Sequence, residues 1–285
     1  MEFWKNVLRI LDTQMEQPPL YGWFHLLFLG LTALAAIWLC ATHKRGDDKR
    51  VRRAVVVTAI IVILLELYKQ VRYSFSYSGE VIEFAYQWYV FPFQFCSMPM
   101  YVGLLTAFFR KGRIHNGLMA FLATYALFGG ACVMAYPGDV LFTSLGVNIQ
   151  TMICHGSMLV IGVYLWYSGY VKSAFRTVLK AIPVFAVALA CAVCMNEIAY
   201  RSGLLETHTF NMFFVNPHCT PSLPVYSLVQ EKVAYPWCLF LYIFGFSVAA
   251  YLVSLIPTIC IKIGERRAAK IRQRIYGGND EAGQL

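Results

Sequence analysis

Charge is scarce in this 285-residue chain: Asp, Glu, Lys and Arg together supply 14% of it, against 59% hydrophobic residues. A water-soluble domain with that balance would expose more apolar surface than it can tolerate, so a soluble globular fold is excluded. Period-2 alternation is also missing from the apolar runs, which excludes a membrane barrel and leaves helices. No basic start followed by a short apolar core and a small-residue cleavage site is present, so no signal peptide is expected. Internal repeats are absent as well, which points to one domain and offers no inverted halves of the kind transporters use.

Seven apolar runs are present, each long enough for the roughly 30 Å hydrocarbon layer, which takes about 20 helical residues. They cover residues 21–42, 54–74, 88–109, 117–136, 148–170, 178–200 and 236–261. The predicted fold class is therefore an all-α polytopic membrane protein with seven transmembrane helices. Residues 1–20 form an outer interfacial segment, 21–261 the transmembrane domain and 262–285 a basic tail. Phe3, Trp4, Val7, Leu8 and Leu11 recur at helical spacing before Pro18-Pro19, as in a short helix lying in the interface.

Acidic side chains are the rarer sign, 15 against 24 Lys and Arg. Eighteen of those 24 fall in the first, third and fifth connections and the tail, which are cytoplasmic if the N-terminus lies outside, while the stretch 137–150 has none. That asymmetry predicts an outer N-terminus and a cytoplasmic C-terminus. The net charge of +9 then orients the chain against anionic lipid, and no nucleic-acid partner is expected. The tail is expected to continue the last helix, with disorder after Tyr276.

Nine cysteines, an odd number with eight inside predicted spans, argue against a disulfide framework. Most are packing residues, and Cys191-x-x-Cys194 matches a redox motif in spacing only. His43 and His115 fall in basic loops and are expected to be solvated. His208, His218 and Cys219 sit together in the long outer loop, but without helical spacing or a nearby carboxylate no metal site is expected.

Polar residues inside the membrane carry the functional signal, because each is costly unless it meets a partner or a cavity. At about 1.5 Å per helical residue, Cys96 lies about 12 Å inward from Trp88, and His155 about 10 Å inward from Asn148. Glu66, Lys69, Gln94, Asn196 and Glu197 fall in the same outer half, and the inner half is mostly apolar. Pro92 and Pro99 flank Cys96, so the third span is expected to distort; on a helix Pro92, Cys96, Met100 and Gly103 share one face. A thiol and an imidazole at matched depth suit nucleophilic acyl transfer, with His155 as base and acid. Asn196 or Gln94 can donate to an oxyanion. Glu197 either orients His155 or pairs with Arg201 one turn away, and Met100 and Glu66 support the site.

Four stretches, Phe-Pro-Phe-Gln-Phe-Cys-Ser, Ile-Cys-His-Gly-Ser-Met-Leu, Phe210-Asn-Met-Phe-Phe214 and Ala234-Tyr-Pro-Trp237, resemble the YwaF-type bacterial integral membrane family, which includes the animal transmembrane-protein-164 acyltransferases. The resemblance covers nearly the whole chain. It implies a Cys96 nucleophile and a His155 partner that move an acyl chain from a phospholipid to a lysophospholipid through an acyl-cysteine, with no cofactor. Two departures from the pattern are visible. Gln94 stands where many bacterial members have His, and Val233-Ala234-Tyr235 replaces a Gly-Pro ahead of Pro-Trp. The absence of an Asn-x-Ser/Thr sequon from the outer loops fits a bacterial cell membrane, an endomembrane being the eukaryotic counterpart. The competing expectation is a proton-coupled transporter or channel using Glu66, Lys69, His155 and Glu197. A heptahelical receptor would share only the helix count and the outer N-terminus.

Overall fold

The computed structural model describes residues 2–44, 46–78, 81–203, 209–219, 224–230 and 232–276; His208 and the stretch after Tyr276 lie outside them. Ten α-helices follow in order among the described residues: α1 (Glu2–Leu11), α2 (Trp23–Ala41), α3 (Asp48–Arg72), α4 (Met98–Phe108), α5 (Gly112–Phe121), α6 (Leu127–Ala135), α7 (Leu145–Tyr167), α8 (Ala174–Ser202), α9 (Pro224–Gln230) and α10 (Tyr235–Tyr276). Among the described residues six helical stretches are long and apolar enough to cross a membrane: α2, α3, the continuous run Gly112–Ala135, α7, α8 and Tyr235–Lys270 of α10. The last helix continues unbroken into the basic tail, as its sequence suggests.

Local chemistry sets the ends of these helices. The Asp47 carboxylate accepts the Arg50 N–H at 2.9 Å and caps α3. Gly203, at φ 62°, ends α8 in the left-handed conformation that L side chains resist. Between α5 and α6 the run Leu122–Ala126 widens to a π-turn. Trp166 Nε1 donates to the Ala123 carbonyl there at 2.8 Å, which satisfies a group exposed by the wider turn.

One expected span takes another form. From Trp88 to Ser97 the chain is two short 3-10 turns, Trp88–Val90 and Phe95–Ser97, joined by non-helical backbone, and only then does α4 begin. Pro92 lies in the non-helical joint and Pro99 in the first turn of α4, where its missing N–H costs nothing. The single helical face expected for Pro92, Cys96, Met100 and Gly103 therefore does not form, and Cys96 is not at the depth a straight helix would give it. Met100 and Gly103 still face α3. Met100 packs in a buried cluster with Val62, and a Cβ on Gly103 would lie 2.7 Å from that of Ala59.

The fold also departs from all-α in an antiparallel hairpin, Phe75–Ser78 (β1) with Val81–Phe84 (β2), registered Phe75 to Phe84. It follows α3 and precedes the Cys96 segment. The short helix α1 is tied to the same end of the bundle: Tyr68 Oη donates to the Leu11 carbonyl at 2.8 Å and Arg72 pairs with Asp12. Gln14 bridges to Ser144 at the start of α7. At the other end, His43 bonds Tyr164 at 2.9 Å and His115 bonds Tyr170 at 2.6 Å. Neither histidine is solvated as its basic loop suggests; His115 is buried and His43 half-buried. The core between these ends is aromatic, with Phe185 stacked on Tyr125 and Tyr242 on Phe246.

Candidate functional site

Glu66 and Lys69 stand one turn apart on α3, joined by an ion pair of 2.8 Å, their side chains only 8% and 15% exposed. A pair withdrawn from water in this way survives only if further hydrogen bonds satisfy it. Gln70 provides one, its Nε2 donating to Glu66 at 2.7 Å and to the Val90 carbonyl at 2.9 Å. Tyr86 Oη donates to Gln70 Oε1. The buried acid is thus linked through Gln70 to the irregular segment that leads to Cys96.

α7 carries the rest of the polar cluster. Gln150 Nε2 lies 3.4 Å from Glu66 Oε2 and 3.4 Å from the sulfur of Cys154. Thr151 Oγ1 donates to Gln150 Oε1 at 3.3 Å. One turn on, His155 Nδ1 is 2.8 Å from the Thr151 carbonyl. A carbonyl only accepts, so Nδ1 must carry the proton, and Nε2 is left with its lone pair. No described residue hydrogen-bonds Nε2. α6 seats the His155 backbone closely: a Cβ on Gly130 would fall 2.7 Å from the His155 carbonyl oxygen.

Cys96 sits in the 3-10 turn Phe95–Ser97, flanked by two anchored residues. Phe95 packs edge-on to Phe185, Phe213 and Phe246, and Ser97 is buried. The half-buried thiol lies within electrostatic reach of Lys69, Glu66 and Cys154. Lys69 also reaches His155. One ammonium therefore stands in range of both expected catalytic residues. Cys96 and His155 are not hydrogen-bonded to each other.

Gln94 and Asn196, expected as oxyanion donors, have other partners. Gln94 donates to the Asn211 carbonyl at 3.0 Å and accepts the Phe213 N–H at 3.1 Å. Asn196 donates to the Met212 carbonyl at 3.0 Å and accepts the Met212 N–H at 2.8 Å. Both amides act as surrogate strands for one loop, whose Phe213 and Phe214 adopt φ 58° and 57°. Tyr242 Oη completes the hold with a 2.9 Å bond to the Phe213 carbonyl. Buried non-helical backbone at this depth needs such partners.

Glu197 does not orient His155. It pairs with Arg201 at 2.5 Å, with its other oxygen 3.4 Å from His218 Nε2, and is 39% exposed. His218 also stacks on Tyr200. Among the described residues no three His, Cys, Asp or Glu side chains converge as a metal site would require. Cys191 and Cys194 lie exposed on α8.

A family model described as the TMEM164 family matches residues 20–256, from just before α2 to deep within α10. The chain belongs to the TMEM164 family. No curated protein and no solved structure matches it. In this TMEM164-family protein the matched region contains both Cys96 and His155 and every member of the Glu66 network. Gln70, Gln150 and Cys154 are the members that sequence reasoning missed. Their only signal was spacing: Gln150 and Cys154 are one turn apart on α7, as are Glu66 and Gln70 on α3.

Proposed function

We propose that this TMEM164-family protein is a cysteine-dependent phospholipid acyltransferase in which Cys96 carries the acyl group and His155 handles the proton. The Cys96 sulfur attacks the ester carbonyl, the carbonyl–oxygen bond breaks, and the thiol proton passes through one intervening water to His155 Nε2. His155 returns that proton to the departing lysophospholipid alkoxide. In the second half an acceptor lysophospholipid hydroxyl attacks the thioester, its proton goes to Nε2, and Cys96 is released and reprotonated. Lys69 replaces Gln94 and Asn196 as the stabiliser of thiolate and oxyanion, since both amides are engaged by the loop. The reading needs no cofactor.

The observation that carries this reading is a His155 whose Nδ1 is held by the Thr151 carbonyl, leaving the lone pair at Nε2, with the charge of the buried Lys69 felt at both Cys96 and His155. The likeness of the Cys96 and His155 motifs to YwaF-type proteins supports it. In this reading the chain crosses the membrane seven times with its N-terminus outside, the segment through α4 being the third crossing. Two positions favour that count: the end of α3 lies beside Asp12, and the start of α5 lies beside Tyr170 at the opposite end of the bundle.

The test is intact mass of the purified protein after incubation with mixed phospholipids, for wild type, Cys96→Ala and His155→Ala, with and without hydroxylamine. A hydroxylamine-labile adduct that needs both residues is expected. No adduct in any sample, with lysophospholipid acceptors unchanged, overturns the reading. The burial of Glu66 and Lys69 favours one alternative, a proton-coupled pathway. That alternative requires liposome flux which survives Cys96→Ala and fails with Glu66→Gln.

A further inference from the structure

A groove of about 870 Å³ runs between α2, α3 and α7. At its deep end are Met152 and Ile61, and at its mouth Lys49, Arg50 and Arg53. His155 does not line it; the residues that α7 contributes, Met152, Ile153, Gly156, Ser157 and Val160, lie around the helix from His155. A close approach builds the floor: a Cβ on Gly156 would lie 2.5 Å from the Thr32 hydroxyl.

Shape and charge together define the occupant. From Lys49 to Ile61 the groove follows α3 for about 18 Å, close to the roughly 15 Å of one leaflet's hydrocarbon. Its walls are apolar, including the exposed Leu31, Trp38, Val57 and Ile61. The charges lie only at the end next to the α2–α3 connection. Arg50 is partly engaged there, its guanidinium donating to the Thr42 carbonyl at 2.5 Å and to the Thr42 hydroxyl. The Asp47 carboxylate in the same mouth caps α3. Lys49 and Arg53 are one turn apart and exposed, and among the described residues neither pairs with an acid. Two uncompensated cations above a one-leaflet apolar trough match a phosphate headgroup above an acyl chain.

We propose that the α2–α3–α7 groove is a binding site for an anionic glycerophospholipid, its phosphate between Lys49 and Arg53 and one acyl chain along Val57 and Gly156. The site is separate from the Cys96 centre and does not depend on the acyltransferase reading. Its occupant enters sideways from the leaflet on the basic side.

Native mass spectrometry of the full-length protein in detergent, with equimolar phosphatidylglycerol and phosphatidylcholine, tests it. Wild type is expected to retain phosphatidylglycerol by about tenfold or more over phosphatidylcholine, the scale set by two cations at an anionic headgroup. K49Q/R53Q brings that ratio near one, whereas K262Q/R266Q in the tail leaves it unchanged. Thr58→Trp, which fills the trough, lowers retention of both lipids. Cys96→Ala retains lipid as wild type does, so failure of the acyl-enzyme test and failure of this one are distinguishable. For wild type alone, raising salt from 0.1 to 1 M is expected to erode the preference. Equal retention of the two lipids by wild type, or a preference that survives K49Q/R53Q, overturns the proposal in favour of an unspecific lipid annulus.

Discussion

The Nδ1–H of His155 donates to the carbonyl of Thr151, 2.8 Å away and one turn earlier in α7. That bond selects the tautomer, so a neutral His155 offers its lone pair at Nε2 alone. The partner is a backbone atom within the same helix, so the arrangement survives any change of side chain at Thr151.

His155→Asn is therefore the informative replacement. The Asn amide can keep the Thr151 bond but supplies no base, so acyl-adduct formation is expected to fall by about 10²–10⁴-fold. Thermal unfolding in detergent should stay near wild type. Rate loss with the melting curve intact separates a chemical role from a packing role.

Asn196→Leu removes the acceptor of the Met212 N–H and leaves that buried donor unsatisfied, while the Met212 carbonyl keeps the Val215 N–H. At about 1–3 kcal/mol for an orphaned group, a loss of that size is expected. Gln94→Leu does the same to the Phe213 N–H, while the Asn211 carbonyl keeps the Phe214 N–H. Both variants should unfold at lower temperature. If either amide were an oxyanion donor, its loss would instead slow acyl transfer with no change in stability.

Glu66→Leu strands the Lys69 ammonium in a buried site. Breaking one half of a buried pair costs about 3–5 kcal/mol, whereas replacing both halves with apolar residues is often neutral. Chemical denaturation should then show Glu66→Leu strongly destabilised and Glu66→Leu/Lys69→Met close to wild type. In the acyltransfer reading the double variant is stable and inactive.

Gly130→Ala places a Cβ 2.7 Å from the His155 carbonyl oxygen and 2.9 Å from the Leu159 nitrogen. These are backbone atoms that cannot swing away, so a loss of about 1–3 kcal/mol is expected from overpacking. Gly245→Ala on α10 meets nothing within 4 Å. It should be neutral or gain up to about 1 kcal/mol from helix propensity. Equal melting temperatures for the two variants would refute close α6–α7 packing at His155.

Membrane class, six of the seven expected spans and the helical character of α1 were legible in the sequence because hydrophobic length and helical period are local properties. The polar residues worth inspecting were legible too, since a charge or imidazole within an apolar run stands out without any structure. What each one touches depends on how helices far apart in the chain pack together, and composition carries no record of that. Glu197, Gln94 and Asn196 had the right chemistry for the site but were captured by Arg201 and by loop backbone. Cys154 looked like a packing residue and Gln150 did not stand out until α3 brought Glu66 against Gln150, which also meets the Cys154 sulfur. The segment before α4 shows the same division. Its prolines announced a distortion, but the choice of extended backbone over a kinked helix rests on tertiary partners such as Gln70, which takes the freed Val90 carbonyl. By itself the sequence determined where this chain resides and which residues are costly there; only the tertiary structure decided which of those costs are offset by neighbours and which groups, above all His155 Nε2, are left free to act.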